Sequence, residues 1–213
     1  MIESAAFNDS AHEYDQWFDS HKIEYALELK AIKAFMPKEG NGVEIGAGTG
    51  RFSQPLGIAL AIEPSEAMRR LAINRGVNAI TGSAESLPLK DGQFDYALLV
   101  TVDCFLDSPE QAFKEIYRVL RTGGLIIVGL IDKNSVLGKK YEKKKSESKF
   151  YKDAHFHSVD EIQKSLRYAG FSDIKSIQAI LPGDTDQSTD QDVKEGYGQG
   201  SFVVLRAQKL ANP

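Results

Sequence analysis

The chain has 213 residues, of which 42% are hydrophobic and 26% charged, as expected for one globular domain with an ordinary core. A net charge of −4 offers no general attraction to nucleic acid or acidic membranes, and a single cysteine, Cys104, excludes an internal disulfide and fits a reducing compartment. No apolar run approaches the roughly 18 residues that a membrane span requires, and the polar N-terminus lacks the features of a secretory signal. We therefore expect a cytoplasmic protein, with neither nucleic acid nor a membrane as its favoured partner.

Helical and strand-like segments alternate along the sequence. Apolar residues at helical spacing predict a helix over residues 22–36, which Pro37 ends. Ser65, Ser108 and Ser158 stand where helix-capping residues are expected, and each precedes a further amphipathic pattern. Short apolar runs predict strands at residues 43–45, 58–63, 77–80, 94–102, 125–131, 173–180 and 201–209.

This alternation predicts an α/β fold, a doubly wound and mostly parallel sheet of seven strands with helices on both faces. The last connection, residues 181–200, is polar and glycine-rich and shows no helical pattern. We therefore expect the last strand to run antiparallel to the sixth. The lysine-rich segment 139–149 is predicted to be a mobile loop, either simply solvated or attracting an anionic acceptor.

The most informative stretch is "GVEIGAGTGRFSQPLGIALAIEPSEAM", in which Gly46, Gly48 and Gly50 follow the first strand and Glu63 ends the second. Ligands of doubly wound sheets bind beyond the C-terminal ends of the strands, where the strand order reverses. Glycines there let backbone N–H groups approach a ligand, and a carboxylate after the second strand can accept hydrogen bonds from both hydroxyls of a ribose. The pattern indicates a nucleoside ligand.

Three alternatives fit parts of the same pattern. An NAD-dependent oxidoreductase would carry G-x-G-x-x-G, but Arg51 stands three residues after Gly48 and the third glycine comes one residue early, at Gly50. The second alternative is a non-catalytic nucleoside-binding protein on the same fold. The third is an ordinary glycine-rich turn with no ligand.

Six motifs, in the same order along residues 40–209, resemble the class I S-adenosylmethionine-dependent methyltransferases, in particular their type 11 branch. They are "VEIGAGTGRF", "AIEPSEAM", "GSAESLPLKDGQFDYALL", "EIYRVLRTGGLIIV", "FHSVDEIQKSLRYAGF" and "GYGQGSFVVLRAQK". The resemblance implies a Rossmann-like methyltransferase fold whose last strand is antiparallel, with S-adenosyl-L-methionine as cofactor. It also implies transfer of the cofactor's methyl group, by in-line displacement, to a nitrogen, oxygen, sulfur or carbon atom of a small-molecule acceptor.

The same resemblance implies a set of cofactor contacts. These are Gly46, Ala47 and Gly48 on the methionine part, Glu63 on the ribose, Pro64 and Ser65 beside the adenosine, Ser83, Ala84 and Glu85 at the adenine edge, and Thr101 and Val102 at the methionyl group. Many relatives carry aspartate in place of Ser83, whose hydroxyl is a weaker acceptor for the adenine amino group. Only about eight residues separate Gly50 from the second strand, which limits the first crossover helix to about one turn.

A cover for the cofactor is expected in the N-terminal segment, because relatives place a lid before the first long helix, where this chain has residues 12–20. Tyr14 and Trp17 are expected to cover the sulfonium, with a cation–π contribution of order 1 kcal/mol. The alternative for Trp17 is packing against the core together with Phe18. We expect one methyltransferase domain, residues 1–213, with a lid and helix (1–36), a cofactor-binding core (40–131), an acceptor-side lid or loop (132–157) and a C-terminal helix with a β-hairpin (158–209).

No universal catalytic residue is expected, because the cofactor carries the activated methyl group and the protein mainly orients the reactants. His155 and His157, before the last helix, and Asp103, after the fourth strand, are the candidates for the acceptor side. Each is explained equally simply as a surface, turn or capping residue. The four histidines show no ligand spacing, so no metal site is predicted, and the sequence indicates no oligomeric state.

Overall fold

One twisted sheet runs through the computed structural model, which describes residues 5–185 and 192–210. Its strands are β1 (Gly42–Ile45), β2 (Leu60–Ile62), β3 (Ala79–Ile80), β4 (Phe94–Val100), β5 (Leu120–Ile131), β6 (Ser172–Ala179), β7 (Val193–Glu195) and β8 (Phe202–Gln208). The helices are α1 (Ala5–Asp9), α2 (Ala11–Ser20), α3 (Lys22–Phe35), α4 (Ser53–Leu56), α5 (Glu66–Asn74), α6 (Pro109–Val119), α7 (Val136–Lys144) and α8 (Val159–Tyr168). Short 3-10 turns, Asp103–Phe105 and Lys145–Glu147, follow β4 and α7.

The strand order is β3-β2-β1-β4-β5-β8-β6-β7. Strands β1 to β5 pair in parallel, whereas β8 runs antiparallel between β5 and β6. The structure therefore confirms a mostly parallel α/β sheet with an antiparallel last strand. The order reverses at β1, which has β2 on one side and β4 on the other, so its C-terminal end is the point where ligands of such sheets bind.

Helices cover both faces of the sheet because alternate residues of the central strands are apolar on each side. In β4, Leu99 packs with the buried residues of α6 and α8, whereas Leu98 packs with Ala31 and Ile32 of α3. Burial of both faces explains why these strands read as continuous apolar runs. As far as the chain is described, none of its helices has the length and hydrophobicity to cross a bilayer.

The predicted serine caps and the short first crossover helix are confirmed. Ser65 and Ser108 each accept a hydrogen bond at 3.3 Å from the backbone N–H three residues later. Ser158 and Glu161 form a complete capping box at the start of α8. α4 is a single turn that ends at Gly57 in the left-handed conformation, which leaves the side of β1 next to it open for other segments.

The predicted number of strands was wrong by one. Within residues 5–185 and 192–210 the sheet has eight strands instead of seven. The additional strand, β7, lies in the connection 181–200 and pairs antiparallel with β6 at the edge of the sheet. Such a short edge strand needs backbone hydrogen bonds from one neighbour and no apolar run, so the sequence carried no pattern that marked it.

Residues 139–147 of the segment 139–149 are helical, so the prediction of a loop was also wrong there. They lie in α7 and the 3-10 turn that follows, and the Ser135 hydroxyl caps α7 by accepting a hydrogen bond at 3.0 Å from Gly138 N–H. Leu137 and Tyr141, one helical turn apart, pack against the core cluster under α3. Lysine is a good helix former, so two apolar anchors are enough to dock this basic helix.

Candidate active site

The glycine turn between β1 and α4 lies at the point where the strand order reverses. Gly46 has a φ of 73°, and a Cβ atom at this position would stand 2.5 Å from Cγ2 of Val102. The N–H groups of Gly46 and Ala47 donate to the Ile62 carbonyl at 2.8 and 3.1 Å, which ties the turn to the end of β2. Glycine is therefore required at position 46 for both backbone conformation and space.

Glu63 follows β2 directly and is buried, with 6% of its surface exposed. Its carboxylate accepts hydrogen bonds from the backbone N–H groups of Gly48 at 2.7 Å and Ser65 at 2.8 Å. Burial raises the pKa of Glu63 to about 7, although both N–H groups favour the ionised form. A carboxylate with two hydrogen bonds keeps acceptor capacity for the two hydroxyls of a ribose.

The predicted adenosine-side residues lie next to Glu63 and are covered by α1. The Ser65 hydroxyl donates to Asn8 of α1 at 2.8 Å, and Pro64 between Glu63 and Ser65 is half-buried. In the next loop the Ser83 hydroxyl donates to the Glu85 carboxylate at 2.5 Å. Ala84, between them, is fully buried, as is expected of a residue that supports a loop from below.

Thr101, immediately after β4, has a φ of 54°, which is uncommon for a residue other than glycine. Such conformations concentrate at functional sites, where the surrounding structure enforces them. Here the Thr101 N–H is held by the Gly129 carbonyl at 2.7 Å, and Val102 packs against Gly46. The end of β4 and the glycine turn therefore form one continuous wall.

Helix α2 covers this wall. Tyr14 faces Gly48, and the free space beside the glycine turn, bounded mainly by Tyr14, Phe18 and Phe52, is about 20 Å³. Sites for small molecules usually enclose about 300–1,000 Å³. This space borders Gly46, Ala47 and Gly48 but not Glu63, so it is a narrow gap between α2 and the glycine turn.

An ion-pair cluster holds α2 in place. The Asp15 carboxylate accepts hydrogen bonds from Thr49 Oγ1 at 2.6 Å, from Arg51 Nε at 2.8 Å and from Arg75 Nη2 at 2.7 Å. Arg51 also donates to Asp19 at 2.9 Å. Partial burial opposes ionisation of Asp15, but the bonds from Arg51 and Thr49 outweigh it and lower its pKa. The residue that departs from a dinucleotide motif, Arg51, thus fastens the lid to the glycine turn.

A larger cavity of about 400 Å³ lies beside the glycine turn, among α2, α3, α7 and the ends of β4 and β5. It includes Thr101, and it shares Tyr14, Phe18 and Phe52 with the small space at the glycines. Its charged lining residues, in the described part of the chain, are glutamates and include the buried Glu28. This cavity has the volume of a small-molecule site, whereas the glycine-turn space does not.

The structure places Trp17 and Phe18 against the core cluster under α3, which is the packing alternative, while their role in covering the cofactor stays a prediction. Trp17 is half-buried, lines the cavity and stacks on His21 with ring centroids 4.4 Å apart. Phe18 is buried in the core cluster under α3 and also lines the cavity. Burial, together with Glu28 and Glu63, raises the pKa of Tyr14, so its phenol is neutral at physiological pH.

The three acceptor-side candidates lie outside the lining of the cavity. Asp103 is buried and its Oδ2 lies 3.5 Å from Nδ1 of His157. Burial raises the pKa of Asp103, which His157 partly offsets. His155 is exposed, and its backbone N–H donates to the Cys104 carbonyl at 2.8 Å. The structure thus brings Asp103 and His157 together and leaves His155 apart.

Sequence reasoning missed Glu28, Tyr141 and the role of Asp15. Glu28 had a detectable signal, because it lies three residues after Tyr25 and four before Ile32, on the apolar face of the predicted helix. The described residues contain no cluster of three or more His, Cys, Asp or Glu side chains that could hold a metal ion.

Comparison with known proteins identifies the family. A type 11 methyltransferase-domain family model matches residues 43–128. A crystal structure from Thermotoga maritima, described as a SAM-dependent methyltransferase and possible histamine N-methyltransferase, is 50% identical over 96% of this chain and 98% of that one, with a TM-score of 0.90. The chain belongs to the S-adenosylmethionine-dependent methyltransferases.

Two further relatives are similar to the chain, one over nearly its whole length and one over part of it. An uncharacterized protein of Methanocaldococcus jannaschii is 46% identical to this chain over 204 residues. The match covers 96% of this chain and 98% of the relative. A malonyl-[acyl-carrier protein] O-methyltransferase of a Marinomonas species is 27% identical over 61% of this chain, which covers 52% of that relative. The enzyme therefore uses S-adenosylmethionine, and nothing in these comparisons supports an oxidoreductase.

The stability of the cofactor-free methyltransferase should fall as the pH rises. Burial raises the pKa of Glu28 and Glu44 from 4.5 to about 8 and that of Glu63 to about 7. Between those values the folded chain holds protons that the unfolded chain has lost, so these groups destabilise the fold progressively. We expect the Tm to decrease from about pH 6 to about pH 8, and Glu28→Gln to flatten the decrease. A Tm that rises over this interval would contradict the raised pKa values of these three glutamates.

Asp15→Asn should loosen the lid, because it removes the charge that faces Arg51 and Arg75. We expect faster amide hydrogen exchange in α2 and a loss of about 1–2 kcal/mol of unfolding free energy. Asp19→Asn is the matched control, since Asp19 pairs with Arg51 but its side chain is 63% exposed. Equal exchange rates in the two variants would show that Asp15 does not hold the lid.

Glu63→Ala should weaken binding of S-adenosylhomocysteine by about 1–3 kcal/mol, the scale of lost hydrogen bonds to a charged group. Glu66→Ala, on the exposed side of α5, is the control because it removes the same side chain a few residues away. Titration calorimetry measures both variants, and thermal unfolding verifies that both are folded. An unchanged dissociation constant for Glu63→Ala would remove this residue from the site.

Proposed function

We propose that the enzyme transfers the methyl group of S-adenosylmethionine to a small molecule bound in the cavity among α2, α3 and α7. The observation that carries this proposal is the cavity itself, which has about 400 Å³ and shares Tyr14, Phe18 and Phe52 with the glycine turn. A cavity of this size with several aromatic walls suits a small-molecule acceptor.

The residues of the glycine turn and its surroundings fit the cofactor. Glu63 would hold the ribose, Gly46, Ala47 and Gly48 the methionine part, Pro64, Ser65, Ser83, Ala84 and Glu85 the adenosine, and Thr101 and Val102 the methionyl end, with Tyr14 and Trp17 as the cover. When bound, the cofactor supplies an activated methyl group, so the protein needs to orient the acceptor and exclude water. The aromatic walls and the fastened lid serve these two tasks.

Nitrogen is the favoured acceptor atom. The Thermotoga maritima protein, half of whose residues are identical, is described as a possible histamine N-methyltransferase. A neutral amine already has a free lone pair and needs no base for the attack itself. This agrees with the positions of Asp103, His155 and His157, which do not line the cavity.

Each of the four segments of the domain has one task in the proposed reaction. Residues 40–131 bind the cofactor, residues 1–36 cover it, residues 132–157 close the acceptor side, and residues 158–209 complete the sheet. Tyr141 and Tyr151 support the third assignment because both line the cavity. We also propose a cytoplasmic location, since the one cysteine, Cys104, is buried and free.

Transfer of a labelled methyl group to a library of small amines, alcohols, thiols and carboxylic acids tests the proposal. We expect labelled amines and equimolar release of S-adenosylhomocysteine. Glu63→Ala should lower the rate at limiting cofactor, because it weakens cofactor binding, and Glu66→Ala should not. Label found in protein or RNA and in no library member would contradict a small-molecule acceptor.

A further inference from the structure

Five acidic residues of the described chain are buried, namely Glu28, Glu44, Glu63, Asp103 and Asp132, and Glu28 differs from the other four. Each of those four carboxyl groups has a partner. A serine hydroxyl donates to Glu44, backbone N–H groups donate to Glu63 and Asp132, and a histidine ring lies at ion-pair distance from Asp103. Glu28 is 95% buried and has no such partner among residues 5–185 and 192–210. Its carboxyl oxygens are not among the fully enclosed atoms that lack a partner, so they reach the cavity, where a ligand can supply the charge or donors that the protein does not.

The position of Glu28 shows where that ligand would lie. It projects from the middle of α3 and lines the 400 Å³ cavity, next to the lid and to α7. Burial and the nearby Glu24 raise the pKa of Glu28 to about 8. The carboxyl group is therefore mostly protonated while the cavity holds no cation, and ionises when a positive charge enters.

The charge of the whole lining has one sign. Glu13, Glu24 and Glu28 are its charged members, and no lysine, arginine or histidine of the described chain lines the cavity. Glu13 is paired with Lys149 at 2.6 Å, which leaves the other two to face a ligand. The lysines of α7 therefore do not create an anion site in this cavity, where an anionic acceptor would meet carboxyl groups and no cation of the described chain.

The walls around Glu28 are aromatic. Trp17, Tyr141 and Tyr151 line the cavity, and the last two are stacked with ring centroids 5.2 Å apart. Aromatic faces attract cations and also pack against flat apolar groups. A carboxyl group enclosed by such faces matches an organic cation better than a hydrated metal ion.

We propose that Glu28 binds the ammonium group of the methyl acceptor, so that the cavity selects small protonated amines with a flat or apolar body. An ammonium nitrogen has no lone pair, so where this nitrogen is the one methylated it first passes one proton to the Glu28 carboxylate, and the neutral amine then attacks the methyl group. This inference rests on the proposed function and adds the residue that determines specificity. Because the ammonium ionises Glu28, binding releases a proton at neutral pH. A neutral molecule of the same shape gains neither the ion pair nor the proton release.

The test uses the full chain saturated with S-adenosylhomocysteine and pairs of probes that differ in charge, such as phenethylamine with 2-phenylethanol and histamine with its alcohol analogue. We expect each amine to bind the wild type at least about tenfold more tightly than its alcohol, and Glu28→Gln to lose this preference. Calorimetry in two buffers of different ionisation enthalpy should show proton release for the wild type and none for Glu28→Gln.

Two further variants make the result specific to the carboxylate. Glu28→Asp keeps the charge and should retain the preference for amines, whereas Glu39→Gln, an equal change of charge on an exposed loop, should bind as the wild type does. Glu28→Gln should keep its affinity for S-adenosylhomocysteine, and at pH 6 also its Tm, because the Glu28 carboxyl group is protonated there and glutamine is a neutral side chain of the same size.

The inference is overturned if no pair shows a preference for the amine, or if Glu28→Gln keeps that preference. Failure of the proposed function gives a different result. Glu28-dependent binding of amines without methyl transfer would refute the proposed reaction and leave the amine site standing. Methyl transfer to amines at an unchanged KM in Glu28→Gln would support the reaction and refute the role of Glu28.

Discussion

The ion pairs of Asp15 with Arg51 and Arg75 are the contact on which the functional architecture depends. They fasten α2 both to the glycine turn and to the end of α5. Because α2 carries Tyr14 and Phe18, this single attachment sets one wall of the glycine-turn space and one wall of the acceptor cavity.

Three carboxyl groups at this end of the sheet differ in their surroundings. Glu44, under the glycine turn, is bonded to the Ser53 hydroxyl and supports the turn. Glu63 holds two backbone N–H groups and keeps acceptor capacity, while Glu28 faces the cavity without a donor. Burial raises the pKa of all three, so the fold loses stability where it is built to bind ligands.

The sequence could predict the features that form between residues close together in the chain, and it could not predict those that form between distant elements. The glycines after β1, the carboxylate after β2 and the serine caps act within a few residues, so spacing alone predicted the turn, the caps and most of the sheet. The cavity arises where Glu28 of α3 meets Tyr141 of α7 and the lid, and no local pattern encodes that meeting. The edge strand β7 was missed because it has three residues and a single apolar one, Val193, and the basic helix α7 was missed because its two apolar anchors stand among lysines.

The shared wall of Tyr14, Phe18 and Phe52 links the two spaces beside the glycine turn. Each of these rings borders both spaces, so a ring that shifts to enlarge one of them reduces the other. Tyr14 and Phe18 both belong to α2, and a displacement of this one helix therefore reshapes both spaces together.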